Sequence, residues 1–223
     1  DAAGLRDFCA GTEAIFCKPA GLCGGEGIQR VVTADIGDYD ALYDSLVKNG
    51  QLLIEGPIRQ HPDMNQLCPD SVNTVRIVTL VTDNGAQMVY ALVRMGMGGV
   101  CVDNVSSGGM YAPVNEHGQL YRPAFCDKTG KYYERHPLTG TDIVGFQIPL
   151  FDQALDLCRM ASQRVEEHLK YIGWDVAITP DGPVLVEGNN LPGYDMCQNA
   201  GHVDVGLLPR FEKLLGRHII SSE

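Results

Sequence analysis

The chain has 223 residues, 44% hydrophobic and 20% charged, which suits a folded globular protein with one large core or two small ones and excludes a disordered chain. A formal net charge of −11 at pH 7 excludes a broad nucleic-acid footprint, because phosphate backbones are held by clustered Lys and Arg. No window approaches the roughly 18 uninterrupted apolar residues of a spanning helix, and the first residues, DAAGLRDFCAGTE, lack the basic and apolar regions of a signal peptide, so a cytoplasmic location is expected.

Residues 14–18 form a short apolar run ending in Lys18, and Pro19 with glycines at 21, 24, 25 and 27 follows at once. That pattern predicts a strand, a glycine-rich turn and a returning strand over 28–32. Residues 39–48 carry Leu42, Leu46 and Val47 at helical spacing, with Gly50 placed to end the helix. A buried strand is predicted at 52–54, broken by Gly56-Pro57.

The β-branched run at 74–82 and the similar run at 88–95, joined through Asp83-Asn84-Gly85, predict an antiparallel hairpin. From 96 to 145 the chain is rich in Gly, Asn, Asp and Pro, and reads as loops with short strands such as 118–121. Apolar residues at 150, 154, 157, 161, 165, 169 and 172 predict one amphipathic helix over 149–172, stopped by Gly173. Strands at 174–179 and 183–187 flank Pro180-Asp181-Gly182, and a last helix is predicted near 207–215. The fold class is therefore α+β with mostly antiparallel pairing.

The sharpest chemical pattern is Trp174-Asp175 followed by Val184-Leu185-Val186-Glu187-Gly188-Asn189, a hairpin presenting two carboxylates and an amide. Glu187 and Asn189 share a face, since side chains alternate along a strand. Such hard oxygen donors suit Mg²⁺, which takes a few protein oxygens together with nucleotide phosphates. A polar strand end without metal is the alternative, but a carboxylate after an apolar run is costly if unpaired.

Lys18 with its glycine loop sets a cation beside exposed backbone N–H groups, a combination able to wrap phosphates, although it is neither a P-loop nor a dinucleotide fingerprint. Arg76 and Arg94 fall in the apolar hairpin, where each needs an anion. That anion is either an internal carboxylate or a phosphate, and both remain open. The cysteines at 9, 17, 23, 68, 101, 126, 158 and 197 contain no C-x-x-C pair and read as reduced apolar thiols. His61, His136 and His202 show no metal-site spacing and read as loop residues.

The order of strand-Lys-glycine loop, apolar strand with Glu, Arg-bearing hairpin and Asp…Glu-x-Asn resembles the ATP-grasp superfamily over nearly the whole chain. Gln60-His61-Pro62, the run SVNTVRIVT at 71–79, Val102-Asp103-Asn104 and Gly173-Trp174-Asp175 resemble its sugar-transfer-associated branch. The resemblance implies a small subdomain over 1–60 and a large one over 61–223. Lys18 would contact a nucleotide phosphate, Gly24, Gly25 and Gly27 would fold over the phosphates, and the stretch through Glu55, Gly56 and Ile58 would read the adenine. Asp175, Glu187 and Asn189 would hold Mg²⁺, while Arg76, Arg94 and Asn104 would assist phosphoryl transfer.

The activity implied is ATP-dependent joining of a carboxylate to an amine through an acyl phosphate, on small-molecule or sugar-linked substrates of polysaccharide-type pathways. The family pattern also carries a further N-terminal domain and a second phosphate-binding lysine upstream of Lys18, so a module lacking that domain is expected. Two competing readings share the nucleotide site: a phosphotransferase, and a nucleotide-binding module without activity.

Overall fold

A computed structural model of the protein describes residues 1–21, 27–97, 108–193, 195–200 and 206–219. The chain divides into two compact units, Asp1–Ile58 and Arg59–Glu223.

In the first unit, helix α1 (Ala2–Cys9) is capped by Asp1, whose carboxylate accepts from the Gly4 amide at 2.8 Å. Strands β1 (Ala14–Lys18), β2 (Gln29–Val32) and β3 (Leu53–Glu55) form an antiparallel sheet with β1 in the centre. Helix α2 (Tyr39–Lys48) begins at Asp38, which accepts from two backbone amides, and Gly50 takes the left-handed conformation just beyond its end. Leu5, Cys9, Ile15, Cys17 and Leu46 make the core. The strand expected to be buried at 52–54 is instead an edge strand with Leu53 48% exposed, because β1 is its single strand neighbour among the described residues.

The second unit is built on an antiparallel sheet of order β10-β9-β4-β5-β6-β7-β8. Its strands are β4 (Val75–Thr82), β5 (Gly85–Met95), β6 (Met110–Val114), β7 (Ala124–Cys126), β8 (Lys131–Tyr133), β9 (Tyr171–Thr179) and β10 (Gly182–Asn190). Alternation sorts the side chains onto two faces. One face carries Val75, Ile77, Ala91, Val93, Trp174, Val176 and Ile178, packed against Phe151, Ala154, Leu155 and Cys158 of helix α4 (Phe151–Ser162). The other carries Val78, Leu80, Tyr90, Leu92 and Tyr111, packed against α5 (Asp195–Asn199) and α6 (Leu208–Leu215). A one-turn helix, α3 (Pro62–Asn65), precedes β4. Among the described residues no helix is long and apolar enough to cross a membrane.

The helix expected over 149–172 ends at Ser162, and residues 171–179 are strand β9. Ser162 Oγ donates to the Cys158 carbonyl at 2.8 Å and receives Trp174 Nε1 at 3.0 Å, fixing the last turn against the sheet. Beyond it the Lys170 carbonyl accepts from Val81 N at 2.8 Å, and β9 then pairs with β4. Val165 and Leu169 still pack on the core, but from an irregular segment. Gly173, expected as a helix stop, lies in mid-strand. The stretch expected to be mostly loop also contains β6, all five of whose residues are buried.

Candidate functional site

Asp175 in β9 stands directly opposite Arg76 in β4 and Glu187 in β10, and cross-strand partners share a face. That face is the one opposite helix α4, since the alternate residues Trp174 and Val176 belong to the core beneath the helix. Glu187 reaches it through a one-residue register shift. Leu185 pairs with Val176, and the next pair is Glu187 with Asp175, which leaves Val186 as the extra residue of a bulge. A regular ladder would set Val186 opposite Asp175 and turn Glu187 toward the helix. After the bulge, Gly188 faces Trp174 and Asn189 returns to the face of Asp175.

Glycines make this packing fit. A Cβ at Gly188 would come within 2.8 Å of Trp174 Cζ3, and one at Gly173 within 2.8 Å of Pro192 Cβ and 3.1 Å of Arg76 Cδ. The aliphatic stem of Arg76 thus lies over Gly173.

Asp175 is 0% exposed, and Arg76 and Arg94 are 7% and 8% exposed. Arg76 binds Asp175 in a fork, Nε to Oδ1 and Nη2 to Oδ2, the latter at 2.9 Å. Arg94 Nη2 lies 3.0 Å from the same Oδ2. Thr74 Oγ1 orients Arg94 by accepting from its Nε at 3.0 Å and Nη2 at 2.8 Å. Asn189 Nδ2 donates to Asp175 Oδ2 at 3.3 Å, to Glu187 Oε1 at 3.2 Å and to the Gly173 carbonyl at 3.4 Å. Among the described residues, two guanidiniums and two carboxylates therefore meet on this face.

The protonation of the two acids diverges accordingly. Burial alone would raise the Asp175 pKa, but the hydrogen bonds from Arg76 and the charges of Arg94 and Arg76 hold it below the usual carboxylate range. Glu187, although its side chain reaches solvent, lies above the ordinary glutamate value, first through desolvation by the groups around it and then through the adjoining Asp175 carboxylate.

Of the residues expected to act together, Arg76, Arg94, Asp175, Glu187 and Asn189 form this one cluster. The sequence left two partners open for the arginines, and here both guanidiniums meet an internal carboxylate. Thr74 is an addition; its signal was its place two residues before Arg76, on the same face of the strand. Asn104 lies outside the described residues, as do Gly24 and Gly25.

Gly27 is described, with φ at 73°. In the first unit Lys18 Nζ donates to Glu55 Oε2 at 2.5 Å, from β1 to β3. Gly56 and Ile58 follow β3 in irregular chain, both partly exposed. The donors Asp175, Glu187 and Asn189 fit Mg²⁺ in kind, being hard oxygens on one face. Among the described residues no group of three or more His, Cys, Asp or Glu side chains is placed to hold a metal ion. Two carboxylates with an amide match an ion that completes its shell with phosphate and water.

Sequence comparison then decides the family. The family model described as sugar-transfer associated ATP-grasp matches residues 3–214. The chain belongs to this family. No curated protein matches it significantly. Among solved structures, D-alanyl-alanine synthetase A from Vibrio cholerae is similar at 11% identity and a TM-score of 0.47, covering 98% of this chain and 52% of its own. The ATP-grasp ligase PsnB, solved with minimal precursor, Mg and ADP, has 14% identity and a TM-score of 0.45, covering 92% of this chain and 47% of its own. The D-alanine-D-alanine ligase from Coxiella burnetii has 12% identity and a TM-score of 0.42, covering 96% of this chain and 43% of its own. This ATP-grasp chain thus spans about half the length of the solved proteins it resembles.

Proposed function

We propose that this chain carries the nucleotide- and Mg²⁺-binding part of an ATP-dependent carboxylate-amine ligase working in the cytoplasm on small-molecule or sugar-linked substrates. One observation carries the reading: Asp175, Glu187 and Asn189 meet Arg76 and Arg94 on one sheet face of an ATP-grasp family member. An oxygen-donor set beside paired guanidiniums is the equipment that phosphoryl transfer needs, because that chemistry is governed by positioning and charge.

In the proposed reaction a substrate carboxylate oxygen attacks the γ-phosphorus of ATP and ADP leaves. An amine then attacks the acyl carbon of the acyl phosphate, and inorganic phosphate departs. Asp175, Glu187 and Asn189 would hold Mg²⁺, which would supply positive charge to the nucleotide phosphates. Arg76 and Arg94 spread the charge on the transferring phosphoryl group, and Thr74 keeps Arg94 in orientation. Lys18 and the neighbouring glycine loop bind phosphate oxygens, while the backbone from Glu55 to Ile58 reads the adenine. The described site residues include no Ser-His or Cys-His pair, and the reaction requires no protein nucleophile.

The reading is tested first by melting the protein with ATP and Mg²⁺. Ligand at 100 times its Kd stabilises by about 2.7 kcal/mol, a readily measured rise. No rise at millimolar ATP and Mg²⁺ would overturn the assignment. Hydroxylamine then traps an acyl phosphate as a hydroxamate, whereas a stable phosphoester product would identify a phosphotransferase.

A further inference from the structure

The Asp175 carboxylate already carries a full set of hydrogen-bond donors. Its Oδ2 alone receives Arg76 Nη2 at 2.9 Å, Arg94 Nη2 at 3.0 Å and Asn189 Nδ2 at 3.3 Å, while Oδ1 receives Arg76 Nε. A carboxylate offers roughly four lone-pair sites, so this one is saturated. A divalent ion approaching those oxygens also meets two guanidiniums within hydrogen-bond distance of them, in a site shielded from solvent, where like charges repel strongly.

We propose that Asp175 is a positioning residue with two alternative sets of partners: the arginines before the nucleotide binds, and the metal afterwards. This rests on the ATP-binding reading above. Phosphate oxygens are strong bidentate partners for guanidinium, so an arriving triphosphate draws Arg76 and Arg94 off the carboxylate. The oxygens so released become metal ligands, beside Glu187 and Asn189, which are more exposed than Asp175. Before that exchange the carboxylate stores both arginines in order on the sheet face, with Thr74 holding the second by its hydroxyl. Metal and phosphate therefore bind with positive coupling, and by linkage each raises the affinity for the other. The metal alone binds weakly.

The exchange predicts that removing a competing cation improves metal binding while damaging phosphate binding, which a merely structural ion pair would not do. Mn²⁺ is titrated into Arg76→Gln and Arg94→Gln proteins without nucleotide, reading free Mn²⁺ by electron paramagnetic resonance. Each variant should bind Mn²⁺ at least about tenfold more tightly than the parent, given the strength of charge interactions at this separation. Equal or weaker binding by variants with native circular dichroism would overturn the proposal.

A second measurement uses the unaltered protein, in case the variants fold poorly. The Arg76 Nε–H resonance, assigned in ¹⁵N-labelled protein, should shift when Mg²⁺ and a non-hydrolysable ATP analogue are added together and stay in place with Mg²⁺ alone. If both ligands raise the melting temperature yet the resonance does not move, the exchange is wrong while the ATP-binding reading stands. If the melting temperature does not rise, the ATP-binding reading itself fails and takes the exchange with it.

Discussion

Arg76 and Asp175 lie ninety-nine residues apart in sequence, yet the guanidinium of one grips both carboxylate oxygens of the other across adjacent strands of the large sheet. With both groups buried, the pair has no water to fall back on. Replacing one member of a buried pair leaves an uncompensated charge, at a cost of about 3–5 kcal/mol. Asp175→Asn removes the buried carboxylate that Arg76 and Arg94 share, so its thermal unfolding midpoint should fall by roughly 6–20 °C for a protein of this size. A shift of a degree or two would show that the pair does not hold the sheet together.

The depth of the sheet packing gives a second prediction. Gly173→Ala places a methyl group 2.8 Å from Pro192 Cβ and 3.1 Å from Arg76 Cδ. Overpacking of this kind costs about 1–3 kcal/mol. Because Arg76 must move, ATP affinity should fall as well. Gly37→Ala is the control, since a Cβ there meets nothing within 4 Å. Calorimetric binding of ATP to both variants decides the point, and unchanged affinity in Gly173→Ala would separate Arg76 from nucleotide binding.

Much of this site was legible in the sequence, because carboxylates and arginines inside apolar strands must find partners. The alternation of Glu187 and Asn189 was readable from a period of two. That Asp175 joins them was a matter of parity, and parity depended on the bulge at Val186, which has no sequence signature of its own. The helix over 149–172 failed for a related reason. Apolar residues at 165, 169 and 172 continue a helical spacing by chance, since tertiary bonds at Ser162 and pairing of β9 with β4 outweigh local periodicity.

Strand β6 was obscured by its composition: Pro113 and Gly108–Gly109 read as loop, and burial comes from its neighbours on the sheet. The buried contacts of Ser162 yield a third prediction. Trp174 Nε1 donates to both Thr79 Oγ1 and Ser162 Oγ at 3.0 Å. Trp174→Phe keeps an aromatic ring but removes that donor, so stability should drop by about 1–3 kcal/mol plus the lost ring volume. Adding Thr79→Val and Ser162→Ala to that variant should recover part of the loss. Strict additivity of all three changes in denaturant unfolding would argue against a shared network.

A fourth prediction concerns pH. His136 reads as a loop residue in the sequence, and it does sit in a turn, but it is 1% exposed. Its Nε2 lies 2.9 Å from the Gly96 carbonyl, and its Nδ1 accepts from the amides of Leu138 and Thr139 at 3.4 Å. The neutral ring with hydrogen on Nε2 satisfies all three contacts. Burial lowers its pKa, and the Gly96 carbonyl offsets this only in part.

A depressed folded value means that the unfolded chain takes up the proton first. Stability is therefore full above the unfolded value of about 6.5 and is lost as pH falls from there through the folded value. Urea unfolding of the parent and of His136→Asn at pH 8 and at pH 5.5 measures this. The parent should lose more stability than the variant over that interval, and parallel losses would remove His136 as the source.

The last prediction separates Lys18 from Glu187, which belong to different units and to different parts of the proposed reaction. Lys18 Nζ donates to Glu55 Oε2 at 2.5 Å, with both side chains partly exposed, so the ammonium is within reach of solvent and of a ligand. As a point charge toward a nucleotide phosphate, it contributes to affinity and leaves the chemistry to other groups. Lys18→Ala should therefore weaken ATP binding, roughly tenfold for the loss of one charge-assisted contact of about 1.4 kcal/mol, while turnover at saturating ATP changes little.

Glu187 anchors the metal in the proposed mechanism, so Glu187→Ala should abolish turnover while leaving adenine-directed binding by the backbone near Glu55 to Ile58. Both residues are exposed enough for the variants to stay folded, which circular dichroism verifies. Turnover is measured in the full-length protein, at saturating and at limiting Mg²⁺. A Glu187→Ala enzyme that turns over normally at limiting Mg²⁺ removes the metal from that carboxylate. The main physical support for the ligase reading goes with it, because Arg76 and Arg94 without a metal beside them describe a buried ion-pair cluster and nothing more.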